Sequence, residues 1–316
     1  MELLLLAQWS GILVAALIVL VRGADLFVEG AKRIGRALGM SSFAIGVIIV
    51  GLGTSLPELA SSIAAVMAGS TEIVIANAVG SNITNILLIV GVLALLGGPV
   101  MINQNLLKTE LPIFFIATVH FVASVYDGMI DRIEALLLIG TFTAYMWYLF
   151  SGPDVPKEEL AVHNGEEGIT LKAVVFVVLG IAAVLLGAHY TVEMAVNIAT
   201  GLLIPVGLVS IGAIAIGTSL PELFVSLRAI KNKEVDLAIG NIFGSNAFNI
   251  LLVVGIPGLI APLLAGEVVL QLGLGVLIAA SLILFVNGLA RQVQRWEGVM
   301  MLLFFTFFLI KLIAFV

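Results

Sequence analysis

The heptapeptide GTSLPEL occurs twice in this sequence, at residues 53–59 and again 164 positions later at residues 217–223. The same offset relates a second motif, GSN-x-x-NILL, at residues 80–88 to its copy at residues 244–252. Two ungapped matches at one offset are not expected by chance. The chain is therefore predicted to be two copies of one structural unit.

Roughly ten stretches of the sequence are apolar and long enough to cross a bilayer as helices, for which about 20 residues are needed. Hydrophobic residues make up 61% of the chain and charged residues 11%, and the mean hydropathy is +1.22. This composition is more apolar than a water-soluble domain needs and indicates a membrane protein. We predict an all-α membrane protein with a first five-helix repeat (residues 1–151), an acidic linker (152–170) and a second five-helix repeat (171–316). The predicted spans are residues 8–29, 43–68, 73–97, 111–126, 132–150, 173–197, 206–229, 235–264, 267–287 and 297–315.

An odd number of spans per repeat reverses the direction in which the second copy enters the membrane. The ten helices are therefore predicted to form two inverted repeats with broken helices at the midplane, where transporters of this design bind their substrate. Cytoplasmic loops collect Lys and Arg, so both termini should lie outside the cell membrane and the linker inside. Eleven of the fourteen basic residues follow odd-numbered spans: Lys32, Arg33, Arg36, Lys108, Lys157, Lys172, Arg228, Lys231, Lys233, Arg291 and Arg295.

Each GTSLPEL motif places a proline inside a predicted span. Pro57 and Pro221 remove a backbone hydrogen bond and clash with the preceding turn, so we expect the helices to break around Gly53 and Gly217. Unwound backbone carbonyl groups are tolerated at membrane depth only where they are buried in protein or line a cavity. These carbonyl groups could therefore serve as ligands.

Glu58 and Glu222 follow the two prolines directly, at a depth where an ionised side chain is unfavourable unless it is paired or coordinated. Thr54 and Thr218 lie four residues earlier and should share a helical face with these glutamates. The following span adds further polar residues at the same spacing: Asn77, Ser81 and Asn85, mirrored by Asn241, Ser245 and Asn249. The predicted site is built from carboxylate, hydroxyl, amide and carbonyl oxygens.

An all-oxygen site suits hard cations, because calcium takes about six to eight oxygen ligands, whereas zinc and copper favour nitrogen or sulfur. The chain has no cysteine, and its three histidines lie outside these segments. Two glutamates balance one divalent or two monovalent ions, so calcium and sodium could compete for them. A lone buried glutamate can instead be a protonated structural group, and Asn and Ser often only pack helices together. Duplication of the whole polar set favours a binding site.

Two copies of GTSLPEL, each followed by a GSN-x-x-N helix, resemble the alpha repeats of the cation/calcium antiporter superfamily, in particular sodium/calcium exchangers of the compact prokaryotic type. The resemblance spans essentially the whole chain. It implies ten transmembrane helices with both termini outside. It also implies electrogenic exchange of several sodium ions for one calcium ion, without ATP or another cofactor.

The resemblance also implies a metal-binding set. Calcium would be held by the two glutamates and the threonine carbonyls, and sodium by the same glutamates, the GSN serines and two further carbonyls. The two asparagines of the NILL segments would complete the centre. Relatives often carry aspartate in place of the second of these asparagines, and asparagine there favours a potassium-independent exchanger. The predicted set is Glu58, Glu222, Thr54, Thr218, Ser81, Ser245, Asn85, Asn249, Gly51, Ala215, Ser55 and Ser219.

Other functions would use the same architecture differently. A calcium/proton antiporter would load protons on the glutamates, but proton-coupled relatives carry a second acidic residue in the helix that here offers only Asn, Ser and Thr. A passive cation channel would need no counter-ion, and paired broken helices argue against it. No enzyme motif is evident. The expected partners are calcium, sodium and the lipid bilayer, with no nucleic acid, and the chain could act as a monomer.

Two properties of the transport cycle follow from the predicted site. Without bound ions the two ionised glutamates would repel each other, so ion loading should permit the switch between facing states. Protons should compete with calcium for the carboxylates, and transport should therefore fall at acid pH. The repeat and the family resemblance further imply that the first span of each repeat is the moving element.

Overall fold

The computed structural model describes residues 2–97, 100–101, 110–151, 169–202 and 217–315, and this part of the chain is almost entirely helical. Six of the described helices are long and apolar enough to cross a membrane, and α2 together with α3 makes a seventh, bent candidate. Most of the acidic linker (152–168) and the beginning of the predicted span 206–229 lie outside the described residues. The helices are α1 (Glu2–Ala37), α2 (Ser42–Thr54), α3 (Leu56–Met67), α4 (Glu72–Gly97), α5 (Glu110–Val125), α6 (Arg132–Ser151), α7 (Leu171–Gly201), α8 (Leu220–Lys231), α9 (Val235–Ile260), α10 (Val269–Ala290) and α11 (Arg295–Phe315).

The first GTSLPEL motif bends its helix at Ser55, not around Gly53 as predicted. Ser55 has φ −89° and ψ 6°, and α2 and α3 meet there at 40°. Helix α2 keeps its hydrogen bonds up to this point, since the Ser55 N–H donates to the Gly51 carbonyl at 3.2 Å. Pro57 lies in the first turn of α3, where its missing N–H removes no helical hydrogen bond. The equivalent Ser219 has nearly the same backbone, with φ −90° and ψ 4°.

The helices that carry the second motif widen into π-helical turns at that motif. The π turn spans Thr84–Ile89 in α4 and Asn249–Val253 in α9, and a third occupies Ile45–Gly51 in α2. Such turns redirect side chains and are frequent at functional sites. Asn85 and Asn249 therefore occupy matching positions in locally widened helices.

Helices α1 and α7, the first of each repeat, pack antiparallel along most of their length. A Cβ atom on Gly23 would lie 2.7 Å from the backbone nitrogen of Val184, and one on Gly30 would lie 2.7 Å from that of Val177. Glycine lets the two backbones approach this closely. Among the described helices no other pair makes so extensive a contact, so α1 and α7 form a two-helix unit beside the main bundle.

The core of the main bundle surrounds α9, whose residues are almost all buried. The Phe243 ring packs edge-on against Phe114 of α5 at 5.3 Å between centroids, and Phe248 packs edge-on against Phe142 of α6 at 6.0 Å. These apolar contacts hold α9 in place on both sides of its GSN motif. The polar residues of that motif are therefore buried among closely packed apolar side chains.

Two short antiparallel strand pairs connect loops of the two repeats. Strand β1 (Val100–Met101) pairs with β4 (Gln292–Val293), and β2 (Met129–Ile130) pairs with β3 (Leu263–Leu264). The offset of 164 relates β1 to β3 and β2 to β4, in each case to within one residue. The loops thus follow the same repeat as the helices.

Candidate cation-binding site

Glu58 and Glu222 lie buried in the first turns of α3 and α8, immediately after the two bends. Their side chains are 0% and 1% exposed, and the two carboxylates are close enough to interact electrostatically. The first turn of a helix favours a negative charge, because its free N–H groups carry partial positive charge. That effect is small beside the repulsion of two buried carboxylates, so a cation near both would be strongly stabilised.

Hydroxyl groups from the opposite repeat face each carboxylate. The Ser55 hydroxyl donates to Glu222 Oε1 at 3.2 Å, and the Thr54 hydroxyl also lies near Glu222. The Thr218 hydroxyl lies near Glu58. Each glutamate is therefore next to the motif of the other repeat, and the two motifs together make one site.

The Thr54 hydroxyl joins the two repeats at the end of α2. It lies 3.3 Å from Asn241 Oδ1 and 3.3 Å from the Ser245 hydroxyl, both on α9. The Ser245 hydroxyl also donates to the Gly51 carbonyl at 3.3 Å. A Cβ atom on Gly51 would lie 2.9 Å from the Ser245 nitrogen, so only glycine permits this contact. The Gly51 carbonyl, a predicted sodium ligand, accepts hydrogen bonds from the Ser55 N–H and the Ser245 hydroxyl, because α2 stays helical to its end.

Ser81 of α4 and Thr218 are the repeat equivalents of Ser245 and Thr54, and they make the same contact, with 3.4 Å between their hydroxyl oxygens. Their surroundings differ, because Thr54 is fully buried whereas Thr218 is partly exposed. The site thus has matching halves that are shielded unequally from solvent.

Several buried polar groups of this site have no hydrogen-bond partner within the described part of the chain. They are both carboxylate oxygens of Glu58, Glu222 Oε2, the Ser219 hydroxyl, and the side-chain amides of Asn85 and Asn249. All five side chains are at most 2% exposed. An unsatisfied buried polar group costs about 1–3 kcal/mol, and a charged one more. These groups are therefore available to bind an ion or water, and their oxygens suit sodium and calcium.

No group of three or more His, Cys, Asp and Glu side chains in the described ranges is arranged to hold a metal ion. A cation bound between Glu58 and Glu222 would depend on hydroxyl, amide and carbonyl oxygens for its remaining ligands. Such ligands suit calcium and sodium better than zinc or copper.

Asn241 was predicted as part of the polar set but not as a ligand, and it connects three segments of the site. Its Nδ2 donates to the Ser226 hydroxyl at 2.8 Å and to the Glu222 carbonyl at 3.5 Å, while its Oδ1 faces Thr54. The side chain is fully buried. Asn241 therefore holds the turn that carries Glu222 and links it to α2.

Asn77 makes the equivalent contacts in the first repeat. Its Nδ2 lies 3.3 Å from the Ser62 hydroxyl, 3.4 Å from the Ser61 hydroxyl and 3.4 Å from the Glu58 carbonyl. Ser62 and its equivalent Ser226 were not singled out from the sequence. The offset of 164 relates them, so the repeat contained the signal that would have found them.

The structure brings most of the predicted metal-binding residues together. Glu58, Glu222, Thr54, Thr218, Ser55, Ser81, Ser245 and Gly51 are linked by hydrogen bonds or electrostatic contact, and Asn85, Asn249 and Ser219 are buried in the same motifs. Ala215 lies outside the described residues. Ion binding by these residues stays a prediction.

The chain is similar to known proteins over most of its length. The family model described as sodium/calcium exchanger protein matches residues 9–151 and 172–314. Sodium/calcium exchanger MaX1 of Methanosarcina acetivorans is 36% identical, covering 95% of this chain and 97% of the relative. Putative antiporter CaxA of Alkalimonas amylolytica is 38% identical, covering 92% and 93%.

A solved structure of the sodium-calcium exchanger NCX_Mj, soaked with zero Na+ and Ca2+, superposes with a TM-score of 0.82 and 31% sequence identity. The match covers 96% of this chain and 98% of that one. The resemblance inferred from the two motifs is thereby confirmed, and the chain belongs to the sodium/calcium exchanger family.

Proposed function

We propose that this chain is a secondary active antiporter that exchanges sodium for calcium across the membrane, electrogenically and independently of potassium. The observation that carries the proposal is the pair of buried glutamates, Glu58 and Glu222, each facing hydroxyl groups of the opposite repeat. Relatives named sodium/calcium exchangers support the choice of ions. The family comprises transporters and not enzymes.

The two ions would share ligands. Calcium would use both glutamates and the backbone carbonyls of Thr54 and Thr218. Sodium would use the same glutamates with the hydroxyls of Ser81 and Ser245 and the carbonyls of Gly51 and Ala215. The partnerless amides of Asn85 and Asn249, and the hydroxyls of Ser55 and Ser219, would complete the shell directly or through water. Overlap of the ligand sets makes the ions compete, as exchange requires.

Ten helices in two inverted repeats would provide alternating access to this site. Three observations support this: the ungapped offset of 164 residues, the repeat-related strand pairs, and the antiparallel packing of α1 on α7. Gly23 and its equivalent Gly187 make matching contacts there, each against the opposite helix. We further propose a multi-pass protein of the cell membrane with both termini outside, which could act as a monomer.

Ion loading would control the switch between facing states. With no ion bound, Glu58 and Glu222 would be two like charges in a poorly solvated pocket. Bound calcium or sodium would neutralise them and allow the surrounding helices to close. Protons would compete for the same carboxylates, so calcium transport should fall at acid pH.

The deciding experiment is uptake of radioactive calcium into proteoliposomes loaded with sodium, with imposed potassium and proton gradients as controls. Uptake should require internal sodium and be indifferent to potassium. It should fall to background in Glu58→Gln and Glu222→Gln. Glu267→Gln, which alters an exposed carboxylate, is the matched control and should transport normally.

Other outcomes would identify the rival functions. Uptake driven by a pH gradient without sodium would indicate a calcium/proton antiporter. Uptake that needs no counter-ion would indicate a channel. Normal sodium-dependent uptake in both glutamine variants would refute the proposed site.

A further inference from the structure

Ion pairs connect α1 to the main bundle at one end of the molecule, away from the cation site. Asp25 of α1 pairs with Arg228 of α8, and Lys32 pairs with Glu234, the residue that precedes α9. Arg36 lies 3.6 Å from the same Glu234 carboxylate. The Asp25 and Arg228 side chains are 24% and 27% exposed, and those of Lys32 and Glu234 are both 17% exposed. Partial burial makes these pairs stronger than fully solvated surface pairs.

The ion pairs cover an apolar contact that shields one side of α8. Val225 of α8 is 0% exposed and lies in a buried cluster with Ala24, Phe27 and Val28 of α1. Val225 is one turn from Glu222, toward the ion-paired end of α8. Helix α1 therefore closes the molecule on this side of the site.

The equivalent side of the other repeat is not closed in the same way. The offset of 164 relates α1 to α7 and α3 to α8, so the contact equivalent to that of α1 with α8 would be one between α7 and α3. The described residues of α7 and α3 make no extensive contact. Ser61, the equivalent of Val225, is exposed, and Asn77, the equivalent of Asn241, is partly exposed. The α8 side of the site is thus sealed by α1, whereas the α3 side is not sealed by α7.

The sequence makes this seal specific to one repeat. At the offset of 164, Asp25 corresponds to His189 and Arg228 to Ala64. Lys32, Arg36 and Glu234 correspond in the same way to Val196, Thr200 and Ser70. His189 instead lies 3.8 Å from Glu193 on its own helix, where both side chains are largely exposed. Helix α7 cannot form these ion pairs with α3, because the required charges are missing from both helices.

We propose that the pairs Asp25–Arg228, Lys32–Glu234 and Arg36–Glu234 form an electrostatic latch that holds α1 on α8 when the site is sealed on that side. The proposal rests on the alternating access of the proposed function. In the other facing state, α1 and α8 would lose their close contact, as α7 and α3 lack it in this structure. The ion pairs of the latch must therefore break during the switch. Because the other repeat has no counterpart, the two facing states differ in energy, and the latched state is favoured.

The test uses the absence of native cysteine in this chain. Single cysteines introduced by Val225→Cys or Ser61→Cys are labelled in detergent with a water-soluble maleimide, alone and combined with Arg228→Gln or Glu234→Gln. Each glutamine variant should raise the labelling rate at position 225 roughly fivefold, the factor that corresponds to about 1 kcal/mol, and lower it at position 61. The double swap Asp25→Arg with Arg228→Asp should restore slow labelling at position 225. Arg33→Gln removes an ion pair confined to α1, with Glu29, and should change neither rate.

Three results would overturn the latch. The first is an unchanged labelling rate at position 225 in both glutamine variants. The second is that Arg33→Gln raises the labelling rate at position 225 as much as those variants do. The third is faster labelling at both positions 225 and 61 that the charge swap does not reverse, as unfolding would produce. Labelling requires no transport. If the wild type fails the sodium-dependent uptake assay while the cysteine variants show the labelling shift, exchange of sodium for calcium is refuted, whereas the alternating access on which the latch rests is supported.

Discussion

The two GTSLPEL motifs are identical in sequence but differ in their surroundings. Thr54 is fully buried and contacts Asn241 and Ser245 of α9, whereas its equivalent Thr218 is partly exposed. Asn241 is fully buried, and its equivalent Asn77 is partly exposed. The difference cannot come from the motif itself. It accompanies the unequal packing of the two first helices: α1 packs on α8 of the other repeat, whereas α7 makes no extensive contact with α3.

This comparison shows how a duplicated sequence can be asymmetric in one state. If both halves were sealed or both open, the site would be isolated from both sides of the membrane or continuous with both. In the proposed cycle the site opens to one side of the membrane at a time, and exchange of the two packings would provide the second state. Variants at equivalent positions of the two repeats can therefore test which differences between the halves come from the facing state and which come from the different residues around each motif.

The largest effect is expected for the two glutamates, and it should not distinguish the halves. Glu58→Gln and Glu222→Gln should each weaken calcium binding by about 3 kcal/mol or more, since each removes one of two buried charges that a divalent ion would neutralise. That loss corresponds to a decrease in affinity of roughly a hundredfold or more. Titration calorimetry of the purified protein would measure it, with Glu267→Gln as the control. Wild-type affinity in either variant would show that only one glutamate binds calcium.

A smaller effect should separate the two asparagines. Asn241→Ala removes contacts to Ser226, Thr54 and the Glu222 carbonyl in a fully buried position, leaving polar groups that water cannot reach. Asn77 is itself partly exposed, so water can enter the space that Asn77→Ala leaves and reach the groups around it. We expect Asn241→Ala to destabilise the protein by about 2 kcal/mol and Asn77→Ala by less than about 1 kcal/mol. Thermal unfolding of the two purified variants would measure the difference, and equal destabilisation would contradict the unequal burial.

Much of the fold and site could be predicted from the repeat. The offset identified both glutamates, their threonine and serine neighbours, and the asparagines that occupy π-helical turns. These followed because a proline, a carboxylate and regularly spaced polar groups in an apolar span have few stable arrangements. The contact of each glutamate with the opposite motif agrees with a single shared site.

Other features could not be read from the repeat. The bend lies at Ser55, because a proline in the first turn of a helix requires no break in the preceding helix. The ion pairs of α1 involve residues far apart in sequence, and their pairing depends on tertiary packing. Identical motifs also carry no information about which half is sealed, since this depends on how α1 and α7 pack on the bundle.

The smallest expected effect concerns the serines at the two bends. The Ser55 hydroxyl donates to Glu222 at 3.2 Å, whereas the Ser219 hydroxyl has no partner among the described residues. A hydrogen bond to a charged group contributes about 1.5–3 kcal/mol, but bound calcium would compensate for part of its loss. Ser55→Ala should therefore lower calcium affinity about fivefold, and Ser219→Ala should lower it by less than about twofold in the same state. Ser10→Ala, which alters an exposed residue of α1, is the control for both. The same two substitutions are then measured in a variant that opens the latch, such as Glu234→Gln. If Ser219→Ala now lowers calcium affinity more than Ser55→Ala does, the difference between the two serines is caused by the facing state. If Ser55→Ala still has the larger effect, the difference is caused by the unequal chemistry of the two repeats.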